Sequence, residues 1–214
     1  MKLYSFFRSS AAYRARIALN VKGLQYEYVA KHLLKNGGEH RLADYLAINP
    51  QGFIPALAHD GALITQSVAI IEYLDEVFPL PPLFPKHPVD RAAVRTMSLL
   101  IACDIHPLNN LRVLNYLKSP LGQESEPIAE WYKHWIAEGF AALEHFIVKY
   151  SSDGRYCFDD AVTMADVLLV PQVANARRYQ MDLAPYPTLK KVTEHLESLP
   201  AFLAARPEAQ PDAE

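Results

Sequence analysis

The chain of 214 residues is poor in cysteine, carries no excess of basic charge and contains no long apolar run. Its two cysteines, Cys103 and Cys157, are too few and too distant for a zinc site or a disulfide scaffold, so no metal is expected. A reducing cytoplasm is the natural setting for such a chain. No uninterrupted apolar stretch approaches the ~20 residues that cross a bilayer. Met1-Lys2-Leu3-Tyr4-Ser5 leads straight into folded-looking sequence, so no signal peptide is expected. With 21 Lys and Arg against 24 Asp and Glu, the formal charge is −3. Nucleic acid and anionic membrane both demand a concentrated basic surface, so neither is an expected partner. What remains is a globular composition, 50% hydrophobic and 21% charged, which excludes a disordered chain.

Proline marks the organisation. Pro79, Pro81, Pro82, Pro85 and Pro88 fall in one short stretch that can neither continue a helix nor enter a central strand. We therefore expect an N-terminal unit over residues 1–80, a linker over 81–88 and a C-terminal unit over 89–214. In the first unit, Lys2 to Phe6 reads as a buried strand. Ser9-Ser10 can cap a helix whose Tyr13, Ile17 and Val21 share a face, with Gly23 ending it. Tyr26 to Val29 alternates like a second strand, and Arg41 to Ile48 reads as a weak helix. Asp60-Gly61, between Pro55–His59 and Ala62–Thr65, is a strong hairpin signal. Ser67 then caps a helix with Ile70, Ile71, Leu74, Val77 and Phe78 as its apolar stripe. The order βαβαββα is the thioredoxin-type arrangement.

The second unit reads as all-α. Helical patterns run over Asp90–Leu117 and Pro127–Lys149, a third begins at the capping-box-like Thr163-Met164-Ala165-Asp166, and a last follows Pro187. Pro171 predicts a bend or a restarted helix, and the tail from Ala205 to Glu214 is expected to be loosely held.

Chemistry concentrates at the first strand-to-helix junction, Arg8-Ser9-Ser10-Ala11. A helix N-terminus presents free amides and a dipole favouring negative charge, so a hydroxyl there can stabilise a thiolate. Ser9 or Ser10 as a plain N-cap is the competing reading. The Cys-x-x-Cys pair usual at such a junction is absent, so the chain brings no redox thiol of its own there. Pro55 opens a strand, where thioredoxin-like folds place a cis-proline that exposes the preceding residue's main chain to a peptide. Gln66-Ser67, at another helix start, is a second candidate carboxylate site.

These residues resemble the glutathione S-transferase superfamily. Leu3 to Ser10, Tyr13 to Leu19, Asn49-Pro50-Gln51, Ile54 to Leu57 and Gln66 to Leu74 look specifically like its zeta class, the maleylacetoacetate and maleylpyruvate isomerases. The likeness returns at Thr163 to Asp166, Leu169 to Val173, Asn175 to Tyr179 and Asp182 to Pro187. One departure is Ala11, where the class commonly has cysteine; this weakens an assignment to maleylacetoacetate specifically. The resemblance implies a thioredoxin-like glutathione-binding domain joined to an all-α domain, glutathione as cofactor and a homodimer. It implies that Ser9 supports the glutathione thiolate, with Ser10 lining the same pocket. It further implies that Ile54 pairs with the cysteinyl part of glutathione and that Gln66 and Ser67 hold its γ-glutamyl end. His40 falls where the class often contacts the glycyl carboxylate, although the local match is poor. Asp104, His106 and Asn110 lie in a segment resembling the maleylpyruvate isomerase pattern that approaches glutathione; read by itself, His106 is equally a structural imidazole.

Arg8, Arg112 and Arg178 would suit a dicarboxylate substrate, although a solvated helix face explains Arg112 or Arg178 singly. The implied activity is glutathione-dependent cis–trans isomerisation of a maleyl keto-acid in aromatic catabolism. Two alternatives stand: a general transferase that conjugates electrophiles, and a non-catalytic binding module of the same fold.

Overall fold

The computed structural model describes residues 1–214 and divides them into two compact units, Met1–Pro82 with Ser198–Glu214, and Leu83–Glu197. The first unit is built on a four-stranded sheet. Strand β1 (Lys2–Ser5) leads into helix α1 (Ser10–Val21), followed by β2 (Glu27–Ala30), two 3₁₀ turns over Lys35–Gly37 and Glu39–Arg41, and the short α2 (Ala43–Leu46). Then come the hairpin β3 (Ala56–His59) and β4 (Ala62–Thr65), and helix α3 (Ser67–Val77). The sheet order is β2-β1-β3-β4, with β1 parallel to β2 and antiparallel to β3. Asp60 and Gly61 take φ of 47° and 79°, the left-handed pair that a tight primed turn demands.

Helix α1 departs from the single-face reading. Every residue from Ala12 to Leu19 is buried, Arg14 and Arg16 included, because α3 and a C-terminal helix pack on the faces the sheet leaves open. That helix is α9 (Pro200–Ala205), from the segment expected to belong to the C-terminal unit. It packs on α1, where Asn20 Nδ2 donates to Ala201 O at 3.0 Å and Arg16 Nε to Ala205 O at 3.0 Å. The expected boundary over 89–214 is therefore corrected at its far end: Ser198–Glu214 returns to the N-terminal unit. The tail is not loosely held either. Gln210 is buried and donates to Ala204 O and Arg206 O, while Asp212 accepts from Phe7 N–H and the Tyr28 hydroxyl. Two further details differ. Val77 is exposed, so it leaves the apolar stripe of α3, and Gln66, not Ser67, is that helix's N-cap residue.

Lys22, at the C-terminal cap of α1, ties this unit to its proline-rich end. Its fully buried ammonium donates to Asp75 Oδ1 at 2.6 Å, Phe78 O at 2.8 Å and Pro81 O at 2.5 Å. Removing one partner of a buried pair strands the other charge, so Lys22→Met is expected to cost about 3 kcal/mol in urea unfolding. A loss below about 1 kcal/mol would mean that the pair behaves as a surface ion pair.

The second unit is helical throughout, apart from one isolated bridge between Ser151 and Asp159. The expected Asp90–Leu117 helix is broken. Helix α4 (Pro88–Leu99) passes into a π-turn over Leu100–Ile105, and α5 (Leu111–Lys118) restarts after Pro107. Pro107 has no amide to continue the ladder, and Asn110 Oδ1 caps the new helix by accepting from Arg112 N–H at 3.1 Å. Helix α6 (Ser125–Tyr150) follows, then α7 (Met164–Arg178) and α8 (Pro187–Leu196). Pro171 does not restart α7, which runs through it. Each residue from Met164 to Val173 is buried, and that packing offsets the missing hydrogen bond. Thr163 and Asp166 form the expected capping box, and buried Asp166 also accepts from Cys157 N–H at 2.7 Å.

Candidate functional site

The register of the sheet gathers the first group of candidate residues at one end. Tyr4 pairs with Ala56, and Ala56 with Thr65. The β1–α1 junction, the Ile54-Pro55 segment and the β4–α3 turn therefore leave the sheet side by side. Side chains reinforce this placement. Ile54 shares a buried cluster with Phe6, Phe7, Ala12 and Tyr45, and Gln66 Nε2 donates to Gln51 Oε1 at 2.9 Å. Arg14 Nη1 donates to Ser67 Oγ at 3.3 Å, linking α1 to α3.

At the junction, Ser9 is the N-cap of α1, and its Oγ accepts from Ala12 N–H at 3.2 Å. The plain capping role is thus real, but it uses only an oxygen lone pair. The hydroxyl proton remains available to donate outward. Ala11 N–H, in the first turn, has no intrahelical partner. Both groups face the positive end of the helix dipole, a setting that favours an anion.

The Ile54–Pro55 peptide is cis. The β1–β3 ladder begins at Ala56, so the Ile54 N–H and C=O stand outside it. The preceding residue is held firmly: Phe53 O accepts from Tyr45 Oη at 2.7 Å and from buried Asn49 Nδ2 at 2.9 Å. Burial lifts the Tyr45 phenol to about 12, so it stays a donor. Gln66 sits at φ 69°, ψ 123°, a left-handed backbone uncommon for a residue with a side chain. Such outliers persist where the surroundings over-determine them, often at ligand sites. The unpaired Ile54 main chain, the open Ala11 amide and the Ser9 hydroxyl match the groups of a small thiol peptide. The residues present therefore fit glutathione.

His40 lies on the Glu39–Arg41 turn, which packs against the loop before Ile54: a Cβ on Gly52 would lie 3.0 Å from His40 O. The imidazole is buried with Nδ1 lacking a partner. Burial, helped by the Arg41 charge, holds it below the ordinary value of 6.5. Between the lowered folded value and the unfolded one, the unfolded chain binds more protons. His40 therefore adds stability above about pH 6.5, which is lost as pH falls through the folded value. Thermal unfolding from about pH 7.5 to about pH 5 should fall more steeply for the wild type than for His40→Gln. Parallel profiles would remove His40 from the pH dependence.

The remaining candidates lie on the second unit, except exposed Arg8, whose guanidinium carbon is 5.9 Å from the Phe7 ring centroid. Asp104 is exposed within the π-turn, and His106 closes it, its N–H donating to Ile101 O at 2.9 Å. Gly139 on α6 makes this arrangement fit, since a Cβ there would stand 2.3 Å from Ile105 Cδ1. Asn109 Nδ2 donates to Tyr132 O at 3.0 Å and Trp131 Nε1 to Leu108 O at 3.0 Å, pinning the turn to α6. Arg178, at the end of α7, donates to Tyr132 Oη at 3.4 Å, and Tyr132 stacks on Tyr179 with centroids 3.7 Å apart. Arg178 and the 106–110 turn thus share Tyr132 as a neighbour. Arg112 is exposed on the first turn of α5.

Sequence reasoning missed Arg16, Tyr45 and Asp212, which hold the site's backbone, Arg14, which holds the Ser67 hydroxyl, and Tyr28, which holds Asp212. The one available signal was a pair of arginines in the otherwise apolar stretch Ala11 to Leu19. Neither cysteine is at the junction. Burial, then Asp166, pushes the Cys157 thiol well above its usual range, and Cys103 lies in the π-turn.

The family model for the glutathione S-transferase N-terminal domain matches residues 1–76, and that for the C-terminal domain matches residues 112–204. The chain is 48% identical over 211 residues to a probable maleylacetoacetate isomerase of Vibrio cholerae, covering 99% of this chain and 97% of that protein. Among solved structures, it superposes with a TM-score of 0.97 on the holo form of a maleyl pyruvate isomerase, described as a bacterial zeta-class glutathione S-transferase, at 46% identity and full coverage of both chains. A maleylacetoacetate isomerase from Methylobacterium extorquens AM1, solved with bound malonate and GSH, gives a TM-score of 0.94 at 40% identity, again over the whole of both chains. With this fold, these junction residues and full-length relatives of this kind, the chain belongs to the glutathione S-transferase family and, within it, to the zeta class of maleylacetoacetate and maleylpyruvate isomerases.

Proposed function

We infer that the protein is a glutathione-dependent cis–trans isomerase of a maleyl keto-acid, working as a homodimer in a reducing cytoplasm. The observation that carries this reading is the N-terminus of α1, where an N-cap hydroxyl keeps its proton free beside the open Ala11 amide. Bound glutathione supplies a thiol nucleophile, which allows a conjugated double bond to become single, rotate and re-form. Everything else falls to this chain. Ser9 O–H donates to the sulfur and, with the helix dipole and the Ser10 and Ala11 end of the helix, raises its thiolate fraction at neutral pH. The Ile54 main chain pairs with the peptide, and Gln66 with Ser67 receives a carboxylate at the start of α3. We propose that His40 meets the glycyl end and that Asp104, His106 and Asn110 contact glutathione, as the class resemblance implies.

Arg8, Arg112 and Arg178 hold the substrate's carboxylate and keto-acid groups and offset the charge that develops on addition. The malonate held with GSH in the Methylobacterium relative supports a small dicarboxylate in this role. Ala11, standing where the class commonly has cysteine, leans the substrate towards maleylpyruvate over maleylacetoacetate.

Purified protein with maleylpyruvate or maleylacetoacetate is expected to form the fumaryl isomer only when glutathione is added. Turnover indifferent to glutathione, absent with both substrates, or slower than conjugation of halogenated aromatics would overturn the reading. Arg178→Ala is expected to lower kcat/KM for the keto-acid by about 10²-fold while glutathione affinity survives. An equal loss of both would place Arg178 in another role.

A further inference from the structure

The peptide that leads into Ser9 is held by charged groups to which the isomerisation assigns no task. Phe7 N–H donates to Asp212 Oδ2 at 3.1 Å, and the Tyr28 hydroxyl donates to Asp212 Oδ1 at 2.6 Å. On the carbonyl side, fully buried Arg16 donates to Phe7 O at 3.0 Å, Phe6 O at 3.4 Å and Ser5 Oγ at 3.2 Å. Its Nε reaches Ala205 O at 3.0 Å. The segment is thus gripped at its amide by Asp212 from the end of the chain and at its carbonyls by Arg16, which Ala205 O in turn holds. Glu214 adds contacts to Lys35 and, at 3.8 Å, to His32 Nε2, ahead of the turn that carries His40.

The grip reaches Ser9 directly. Ser9 N–H donates to Phe6 O at 3.0 Å, the same carbonyl that Arg16 holds. A displacement of Phe6 and Phe7 therefore displaces the N-cap and its hydroxyl. Reactive geometry tolerates about 0.5 Å, and 1 Å of misplacement costs about 10²-fold in rate. Charge-assisted hydrogen bonds are the stronger kind, suited to fixing a loop this closely. The Tyr28 phenol is kept protonated by burial first and by Asp212 second, so the contact persists across the neutral range.

We propose that Asp212 is a positioning residue for the Ser9 hydroxyl, acting through Phe7 N–H and Tyr28, so that Ser198–Glu214 completes the thiol site of the N-terminal unit. The proposal rests on the reading that Ser9 supports a bound thiol.

The test uses the full chain carrying Asp212→Ala, with Asp212→Asn as the conservative variant and Tyr28→Phe as the mildest. Three quantities are read: amide hydrogen exchange over Phe7 to Ala12, glutathione affinity, and the pH titration of the thiolate absorbance of bound glutathione. Asp212→Ala is expected to speed exchange at the junction, weaken glutathione binding about tenfold and move the thiol titration upward towards its free value. Asp212→Asn, which keeps one acceptor oxygen, recovers part of each, and Tyr28→Phe shifts all three in the same direction by less. Unchanged junction exchange, or faster exchange with the thiol titration unmoved, overturns the proposal. If Asp212→Ala does not fold, Tyr28→Phe decides on the same criteria. A wild-type chain that binds no glutathione overturns the functional reading instead, and the exchange data then decide whether the tail holds the junction.

Discussion

Replacing Ser9 with alanine is expected to lower kcat/KM for isomerisation by about 10²–10³-fold, the effect of removing one preorganised donor from a developing or resident anion. The same substitution removes the acceptor for Ala12 N–H, which costs about 1 kcal/mol of stability as the loss of an N-cap. Two variants separate these effects. Ser9→Thr keeps both the lone pair and the proton, and should retain much of the activity. Ser9→Asp caps the helix at least as well but has no proton to give and places a negative charge beside the sulfur. It should therefore melt near the wild-type temperature and be the least active of the three. Steady-state kinetics beside thermal unfolding decides the matter. An active Ser9→Asp enzyme would reduce Ser9 to a capping residue.

Asp166→Ala is expected to destabilise the helical unit by about 4 kcal/mol, since three donors lose a fully buried acceptor. They are Cys157 N–H at 2.7 Å, Thr163 N–H at 2.7 Å and the Thr163 hydroxyl at 2.9 Å. Asp166→Asn retains one acceptor oxygen and should cost about half as much. Because α7 carries Arg178 at its far end, the loss is expected to appear as a lowered unfolding midpoint before any change in KM. Chemical denaturation followed by tryptophan fluorescence measures it, since Trp131 and Trp135 both lie on α6 of this unit. A cost below about 1 kcal/mol would show that the loop around Cys157 satisfies itself without the carboxylate.

How much of this was legible beforehand depended on the range of the interaction. The Asp60-Gly61 hairpin and the Thr163–Asp166 box are settled within four residues, and both form as their residue types dictate. The chain order of strands and helices in the first unit follows from local periodicity and turn chemistry in the same way. Arg14 and Arg16 were illegible because periodicity assumes one wet face, whereas α1 is covered on all sides. The break after Ile105 was hidden by continuous apolar spacing across Pro107, and it is set by Asn110 and by contacts to α6. Asp212 was beyond reach: its partner Phe7 lies 205 positions away, and an acidic tail rich in proline and alanine has the composition of a loose end. At the site, Ser9 was visible by type and position, while the groups that hold it in place were not.

The proposed chemistry requires this chain to lower the pKa of a thiol that it does not itself encode. The direct measurement is the pH titration of the thiolate absorbance of glutathione bound to the wild-type protein and to Ser9→Ala. Thiolate support by Ser9 predicts a wild-type midpoint clearly below the ~8.5 of a free thiol, with the Ser9→Ala midpoint moved back towards that value. A wild-type midpoint equal to that of free glutathione, or one that Ser9→Ala leaves in place, would contradict it.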